Sequence, residues 1–290
     1  MSEKVLVVGA TGMLGRPVAE RLKTDGFEVA IMTSNLSKAE RSFGSRFKIL
    51  EGDVTIPATL KVPLDGMDYL YINLSANVDP VKYQKVEIEG TCNLAKAAQD
   101  AGLKRIMNIS SAASKGKEIG KIYLDAKVRA ERAIIESGVK YTIMRPSWFF
   151  ETLPHFINNE RAVVIGKQPL QIHWLAASDY AAQVSKAFRT EAAANKCFYN
   201  LGPEKLTMLQ ALQKYCERIH PDIRAKEIPF WMAKLFALMT GNKQLRKVIP
   251  FFEYFSAQDE NVDSTEANAI LGNNNTTIQN WLDTLVKSPN

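Results

Sequence analysis

Tyr123 and Lys127 are the residues whose types and spacing most directly suggest chemistry. In Tyr123-Leu-Asp-Ala-Lys127 they stand four apart, so a helix puts both side chains on one face. A free phenol titrates at roughly 10, and a neighbouring ammonium lowers that value. Such a pair can pass a proton to or from a carbonyl or alcohol oxygen. Ser110 and Ser111 lie 13 and 12 residues upstream of Tyr123, at the end of an apolar run. There a hydroxyl can hydrogen-bond the same oxygen. The plain alternative is a packed surface tyrosine beside a lysine that only binds sugar hydroxyls.

A second constellation opens the chain. Val5 to Val8 are four apolar residues suited to a strand buried on both faces. Gly9, Gly12 and Gly15 follow at intervals of three, with Thr11, Met13 and Leu14 between them. A helical pattern then runs from Arg16 to Lys23, with Val18 and Leu22 on one face. Strand, glycine turn and opening helix together make a phosphate cradle. The glycines let the backbone approach a pyrophosphate, and the helix N-terminus offers free N–H groups and positive dipole.

The run Gly9-Ala-Thr-Gly-Met-Leu-Gly15 resembles that of the extended and atypical short-chain dehydrogenase/reductase superfamily. The resemblance implies an NAD(H) or NADP(H) cofactor. It implies that Asp53 holds the adenine amino group, with the Val54 backbone on the ring, and that Leu74 and Ser75 lie over the adenine ribose. It further implies that Lys127 grips the nicotinamide ribose while lowering the Tyr123 phenol pKa. The second strand ends in Met32-Thr-Ser-Asn-Leu-Ser-Lys38, without the acid that would grip a ribose 2′-hydroxyl. Ser34 and Lys38 make a donor-rich, neutral-to-positive site there, so NADP(H) is preferred and NAD(H) remains the alternative. Lys127-Val-Arg-Ala-Glu131 and Tyr141-Thr-Ile-Met-Arg-Pro146, followed by Phe149-Phe-Glu151, resemble the NmrA-like branch, and Pro146 falls beside the cofactor. That branch contains quinone reductases, other NADPH reductases and redox-sensing regulators without turnover. The resemblance spans roughly residues 3 to 190.

The elements that position these residues alternate. Strands are predicted at Val29–Thr33, Phe47–Glu51, Tyr69–Ser75, Arg105–Ser110 and Tyr141–Arg145. Helices are predicted at Tyr83–Ala101, stopped by Gly102, and Tyr123–Ser137. Alternating β and α units imply an α/β fold: a doubly wound, parallel, Rossmann-like sheet. Residues 1–147 form the NAD(P)-binding domain in this reading. Residues 148–290 form a smaller, mostly helical C-terminal lobe interleaved with the sheet, bearing the substrate. Short strands are expected around 163–165, 172–175 and 197–201, and Asp179 is expected to cap a helix over 180–188. Trp148, Phe149, Phe150 and Trp231 are candidate walls of an apolar substrate pocket. The apolar stripe Ile228 to Met239 fits a membrane-surface helix, a partner-binding face or a pocket lid. It is read as core of the smaller lobe, the commoner use of such a stripe.

Bulk properties narrow the classes. With 46% hydrophobic residues the chain can build a large core, but no apolar run approaches the roughly 20 residues that span a bilayer. Cys92, Cys197 and Cys216 are scattered without metal-ligand spacing, so no metal is expected and a reduced, cytoplasmic setting is. The net charge of +6 is spread out, with no zinc-finger spacing or arginine-rich arm, so no nucleic-acid partner is expected. The leading function is an NADP(H)-dependent oxidoreductase reducing a small, apolar carbonyl or quinone. Its rival is a non-catalytic NADP(H) redox sensor that reports to a protein partner, and an epimerase-like enzyme on a nucleotide-sugar ranks below both.

Overall fold

The structure is a computed structural model that describes residues 2–76 and 78–287. The first strand, β1 (Lys4–Val8), is deeply buried: Val5, Leu6 and Val7 expose nothing to solvent. The glycine turn leads into α1 (Gly15–Thr24), then β2 (Glu28–Thr33), α2 (Leu36–Phe43) and β3 (Lys48–Glu51). A short α3 (Lys61–Leu64) precedes β4 (Tyr69–Ile72). Next comes one continuous helical segment, α4 (Pro80–Lys82), a π-helical stretch Tyr83–Glu89 and α5 (Gly90–Asp100). Then follow β5 (Arg105–Ile109), α6 (Ile122–Glu136) and β6 (Tyr141–Pro146).

The remaining strands are β7 (Trp148–Phe149), β8 (Ile157–Asn158), β9 (Arg161–Ile165), β10 (Ile172–Leu175), β11 (Lys196–Asn200), β12 (Glu204–Leu206) and β13 (Ala225–Ile228). The remaining helices are α7 (Ala177–Arg189), α8 (Met208–Ile219), α9 (Phe230–Met239), α10 (Lys243–Phe255), α11 (Thr265–Leu271) and α12 (Ile278–Lys287).

The chain divides into two compact units. The first holds residues 1–146, 177–200 and 263–273. Its seven strands run in the order β11-β6-β5-β4-β1-β2-β3, every neighbouring pair parallel. This is the doubly wound, Rossmann-like sheet that the alternation predicts. The order reverses at β1, between β2 and β4, where such sheets open a crevice at their carboxyl ends. One core layer joins Leu6, Val8, Leu70, Ile72 and Ile106 of the strands to Leu94, Ala98 and Ile134 of the helices.

The second unit holds residues 147–176, 201–262 and 274–290. Its core is aromatic: the Phe150 ring stacks on Trp174 at 6.0 Å and on Trp281 at 5.4 Å. Two three-stranded sheets, β12-β10-β7 and β13-β9-β8, surround it with α8, α10 and α12. Thr207 caps α8 through a reciprocal pair with Gln210.

Two expectations are corrected. Asp179 does not cap α7, which begins two residues earlier at Ala177 and carries Asp179 in its first turn. The stripe Ile228 to Met239 is core only in part, through Ile228, Phe230, Ala233 and Ala237. Helix α9 meets its own unit through Phe230, Ala233 and Ala237, packed near Ile249, while Trp231, Phe236, Leu238 and Met239 stand 57–77% exposed. The core of this unit is filled by the Phe150–Trp174–Trp281 stack, which leaves α9 on the surface.

Candidate functional site

The cradle forms because β1 delivers Gly9 to a backbone conformation at φ +83°. A side chain at Gly9 would strike the Asn73 carbonyl oxygen at 2.0 Å, and one at Gly15 would strike the Gly9 oxygen at 2.2 Å. These two glycines therefore serve close packing of turn, helix and the β4 end. Gly12 differs. A Cβ there would meet Gly9 O at 3.3 Å and the Asn73 amide nitrogen at 3.9 Å, and it otherwise faces open space. Gly12 N–H donates to Gly9 O at 3.1 Å, closing the turn. Helix α1 begins after Leu14, with no capping side chain and no acid in its first turn. Within its first turn the Arg16 N–H donates to Gly12 O at 3.2 Å and Pro17 has no N–H, so what the helix end offers an anion is chiefly its dipole and the backbone of the glycine turn. Thr11 and Leu14 are half-buried around the turn, and Met13 is exposed. The cradle fits a dinucleotide pyrophosphate.

At the β2 end, Thr33 Oγ1 accepts from the Asn35 amide at 3.0 Å, and Asn35 caps α2 by accepting from Lys38 N at 2.9 Å. Ser34 and Lys38 are exposed. Arg16 is a cation that sequence reasoning passed over. Its guanidinium donates to Ser42 O at 3.1 Å and lies 5.2 Å from the centre of the Phe43 ring, both on α2. Asp53 makes a turn: its Oδ1 accepts from Thr55 N at 2.8 Å and from Thr55 Oγ1 at 2.7 Å. The Val54 carbonyl accepts from Asn93 at 2.9 Å.

Lys127 reaches from α6 to the end of β4. It donates to Leu74 O at 3.2 Å and pairs with Glu87 Oε2 at 2.8 Å. Leu74 follows Asn73, which abuts Gly9, so cradle and lysine converge on one two-residue corner at the sheet's switch point. Glu87 is 4% exposed, and its other oxygen accepts from Ala76 N at 2.7 Å. The π-helical stretch aligns Tyr83 and Glu87 with the Tyr123 and Lys127 face of α6. Tyr123 packs on the cluster of Ala76, Tyr83, Ile88 and Ala126. Burial, reinforced by Glu87 and Tyr123, pushes the Tyr83 phenol well above its ordinary range, so it stays protonated. Tyr83 and Glu87 were missed because a helical pattern does not reveal a π-turn, and Glu87 meets Lys127 only through the fold.

Ser110 is buried and donates to Glu131, which also takes a two-pronged grip from Arg145: Nε to Oε1 at 3.0 Å and Nη2 to Oε2 at 2.5 Å. Burial works against the Arg145 charge, but Glu131 outweighs it and makes the guanidinium more basic than usual. Ser111 Oγ accepts from Ala113 N at 3.3 Å and starts the loop toward α6. Ser75 is exposed beyond Leu74, and Pro146 is buried at the end of β6, paired with Asn200.

The four aromatic residues named as pocket walls are placed differently from one another. Phe149 and Phe150 are buried, Phe150 within the second unit's core, and Trp148 is half-buried against Phe251 and Phe255. Trp231 is 65% exposed on α9 and does not join that cluster.

Residues 9–168 match the family model described as NAD(P)H-binding. The chain belongs to this NAD(P)H-binding family. Among curated proteins it is similar to Photosystem II assembly factor Ycf39 of Guillardia theta, at 27% identity over 82% of this chain and 77% of that one. It is also similar to an NAD(P)H azoreductase of Xenophilus azovorans, at 25% identity over 70% and 69%. Among solved structures, an NADPH-dependent quinone oxidoreductase from Escherichia coli complexed with NADPH superposes with a TM-score of 0.77. It shares 20% identity and covers 97% of this chain and 99% of that one. Among the described residues no helix is long and apolar enough to cross a membrane, and no His/Cys/Asp/Glu cluster could hold a metal.

The buried carboxylate makes a stability prediction. Glu87→Gln keeps an acceptor for the Ala76 amide but strips Lys127 of its counter-ion. The expected loss is about 2 kcal/mol, below the usual cost of a broken buried pair because the ammonium is 20% exposed. Chemical denaturation checks it, and an unchanged midpoint would mean the pair carries no net stability.

Proposed function

We propose that this protein is an NADP(H)-dependent reductase of a small, apolar carbonyl or quinone. The observation that carries the reading is the convergence of the glycine cradle and Lys127 on the Asn73–Leu74 corner, with Tyr123 one helical turn from Lys127. The glycine turn and the α1 N-terminus would hold a dinucleotide's pyrophosphate, and Lys127 would hold its nicotinamide ribose. When bound, the cofactor supplies the hydride. Lys127 then shares its protons between the ribose hydroxyls, Leu74 O and Glu87. Tyr123 holds the proton for the substrate oxygen. Ser111 is the serine left to bond that oxygen, because Ser110 donates to Glu131. Ser110, Glu131 and Arg145 act as a brace that fixes the end of β5. The azoreductase and quinone oxidoreductase likenesses support a reductase with an unsaturated, apolar acceptor.

Preference for NADP(H) rests on the β2 end. No acid stands between Thr33 and Lys38, and Lys38 and Arg16 put two cations around α2. A 2′-phosphate gains from both, though Lys38 acts as a point charge without a bidentate grip. NADPH is therefore expected to bind several-fold more tightly than NADH, and Lys38→Ala to narrow that gap by lowering NADPH affinity alone. Calorimetric titration of both nucleotides decides it, and a preference for NADH would overturn the assignment.

A second reading has its own observation. The Glu87 carboxylate already pairs with Lys127 at 2.8 Å, so the ammonium has a partner within the protein itself. In that reading the bound nucleotide regulates association with another protein, as the likeness to an assembly factor suggests. The two readings part on whether NADPH is consumed.

A further inference from the structure

We infer that helix α9, with the start of α10, is a docking surface for an anionic phospholipid bilayer. Trp231, Met232, Leu235, Phe236, Leu238 and Met239 are all exposed, from 44% for Met232 to 77% for Met239. At about 100° per residue they fill an uninterrupted arc of about 160° on one side of the helix. The opposite side is the alanine seam, Ala233 and Ala237, which seats α9 on Ile249 and Leu245 of its own unit. A soluble surface does not carry six large apolar side chains on one ten-residue helix without use for them.

The charges choose the occupant. Between Glu227 and Glu253 the sequence holds Lys234, Lys243, Arg246 and Lys247 and no acidic residue. Lys234 is paired with Glu253, and Arg246 donates to the Ala237 carbonyl at 3.2 Å at the end of α9. All four cations are exposed, Lys234 on α9 itself and the other three in the first turns of α10, which packs against it. A second copy docked face to face through a two-fold axis would set these cations against their equivalents, which disfavours self-association. A bilayer with anionic headgroups accepts both parts: the apolar arc enters the headgroup and acyl boundary, and the cations meet phosphate. This surface belongs to the second unit and the nucleotide cradle to the first, and the inference does not depend on the proposed reductase activity.

The test is co-sedimentation of the full chain with vesicles, one set of phosphatidylcholine alone and one of equal parts phosphatidylcholine and phosphatidylglycerol. The protein is expected to sediment with the anionic vesicles, to release as salt rises, and to stay largely free of the neutral ones. Trp231 is the exposed tryptophan, Trp148, Trp174 and Trp281 being buried or half-buried, so its emission is expected to shift to the blue on binding. Lys243→Ala with Lys247→Ala should weaken anionic-vesicle affinity by roughly thirtyfold, since each basic residue near such a surface contributes about 1 kcal/mol. Leu235→Ser with Phe236→Ser should abolish the fluorescence shift while leaving the circular dichroism spectrum and NADPH affinity as in the parent. No binding to anionic vesicles by the folded parent protein would overturn the proposal. So would binding that both double variants retain, or a concentration-dependent dimer in sedimentation velocity that Leu235→Ser with Phe236→Ser dissolves.

Discussion

Gly12→Val is expected to abolish NADPH and NADH binding together while leaving the thermal midpoint close to that of the parent protein. The reason is geometric. The Cβ direction at Gly12 is open apart from Gly9 O at 3.3 Å, so the folded backbone can accommodate a side chain that then occupies the pyrophosphate's place. Loss of two charge-assisted hydrogen bonds, at roughly 1.5–3 kcal/mol each, corresponds to about a hundredfold or more in affinity. Gly9→Ala is the contrasting variant. Its Cβ would sit 2.0 Å from the Asn73 oxygen at a residue held at φ +83°, so it should lose stability as well as binding. Fluorescence titration and thermal melts of both variants separate a ligand-facing glycine from a packing glycine. Undiminished NADPH affinity in Gly12→Val would place the nucleotide elsewhere.

Tyr123→Phe is expected to keep NADPH affinity and to lose about 10²- to 10⁴-fold in reduction rate, the usual contribution of a positioned proton donor. Lys127→Ala should damage both quantities, because in the proposed function the same ammonium serves the ribose and Tyr123. It also leaves Glu87 buried without its cation. Steady-state kinetics with an aldehyde or ketone give the cleaner reading, since hydride transfer to a quinone needs less help from a protein acid. A Tyr123→Phe variant with full carbonyl turnover would remove Tyr123 from the chemistry, and Tyr83, protonated and beside it, would be the next group to vary.

Much of the scaffold was legible because it is written in local patterns. Four apolar residues before Gly9 specify a strand buried on both faces, and the rhythm after them specifies parallel strands with helical crossovers. Gly102, at φ +69° just past α5, ends that helix as its type suggests. What escaped depends on contacts distant in sequence. Glu87 and Lys127 are 40 residues apart, and nothing in either segment marks them as partners. Helix spacing at Tyr83 to Ala101 is nearly the same with or without a π-turn, so the alignment of Tyr83 and Glu87 with α6 is set by the fold and leaves no local mark. Ser110 and Ser111 looked equivalent as neighbours at a strand end. The pleat turns one inward to Glu131 and leaves the other at the loop. Helix α9 was misplaced for a related reason. A stripe apolar on nearly every side has no face that declares which way is in, and Phe230, Ala233 and Ala237 proved to be the inward one.

In the proposed function, bound NADPH is consumed. The most direct test is the rate of NADPH oxidation by the purified full chain over a panel of quinones, aldehydes and ketones, with NADH in parallel. Turnover of at least one acceptor, faster with NADPH than with NADH, is the predicted result. Tight NADPH binding with no oxidation above background across the whole panel would contradict it and leave the regulatory reading in its place.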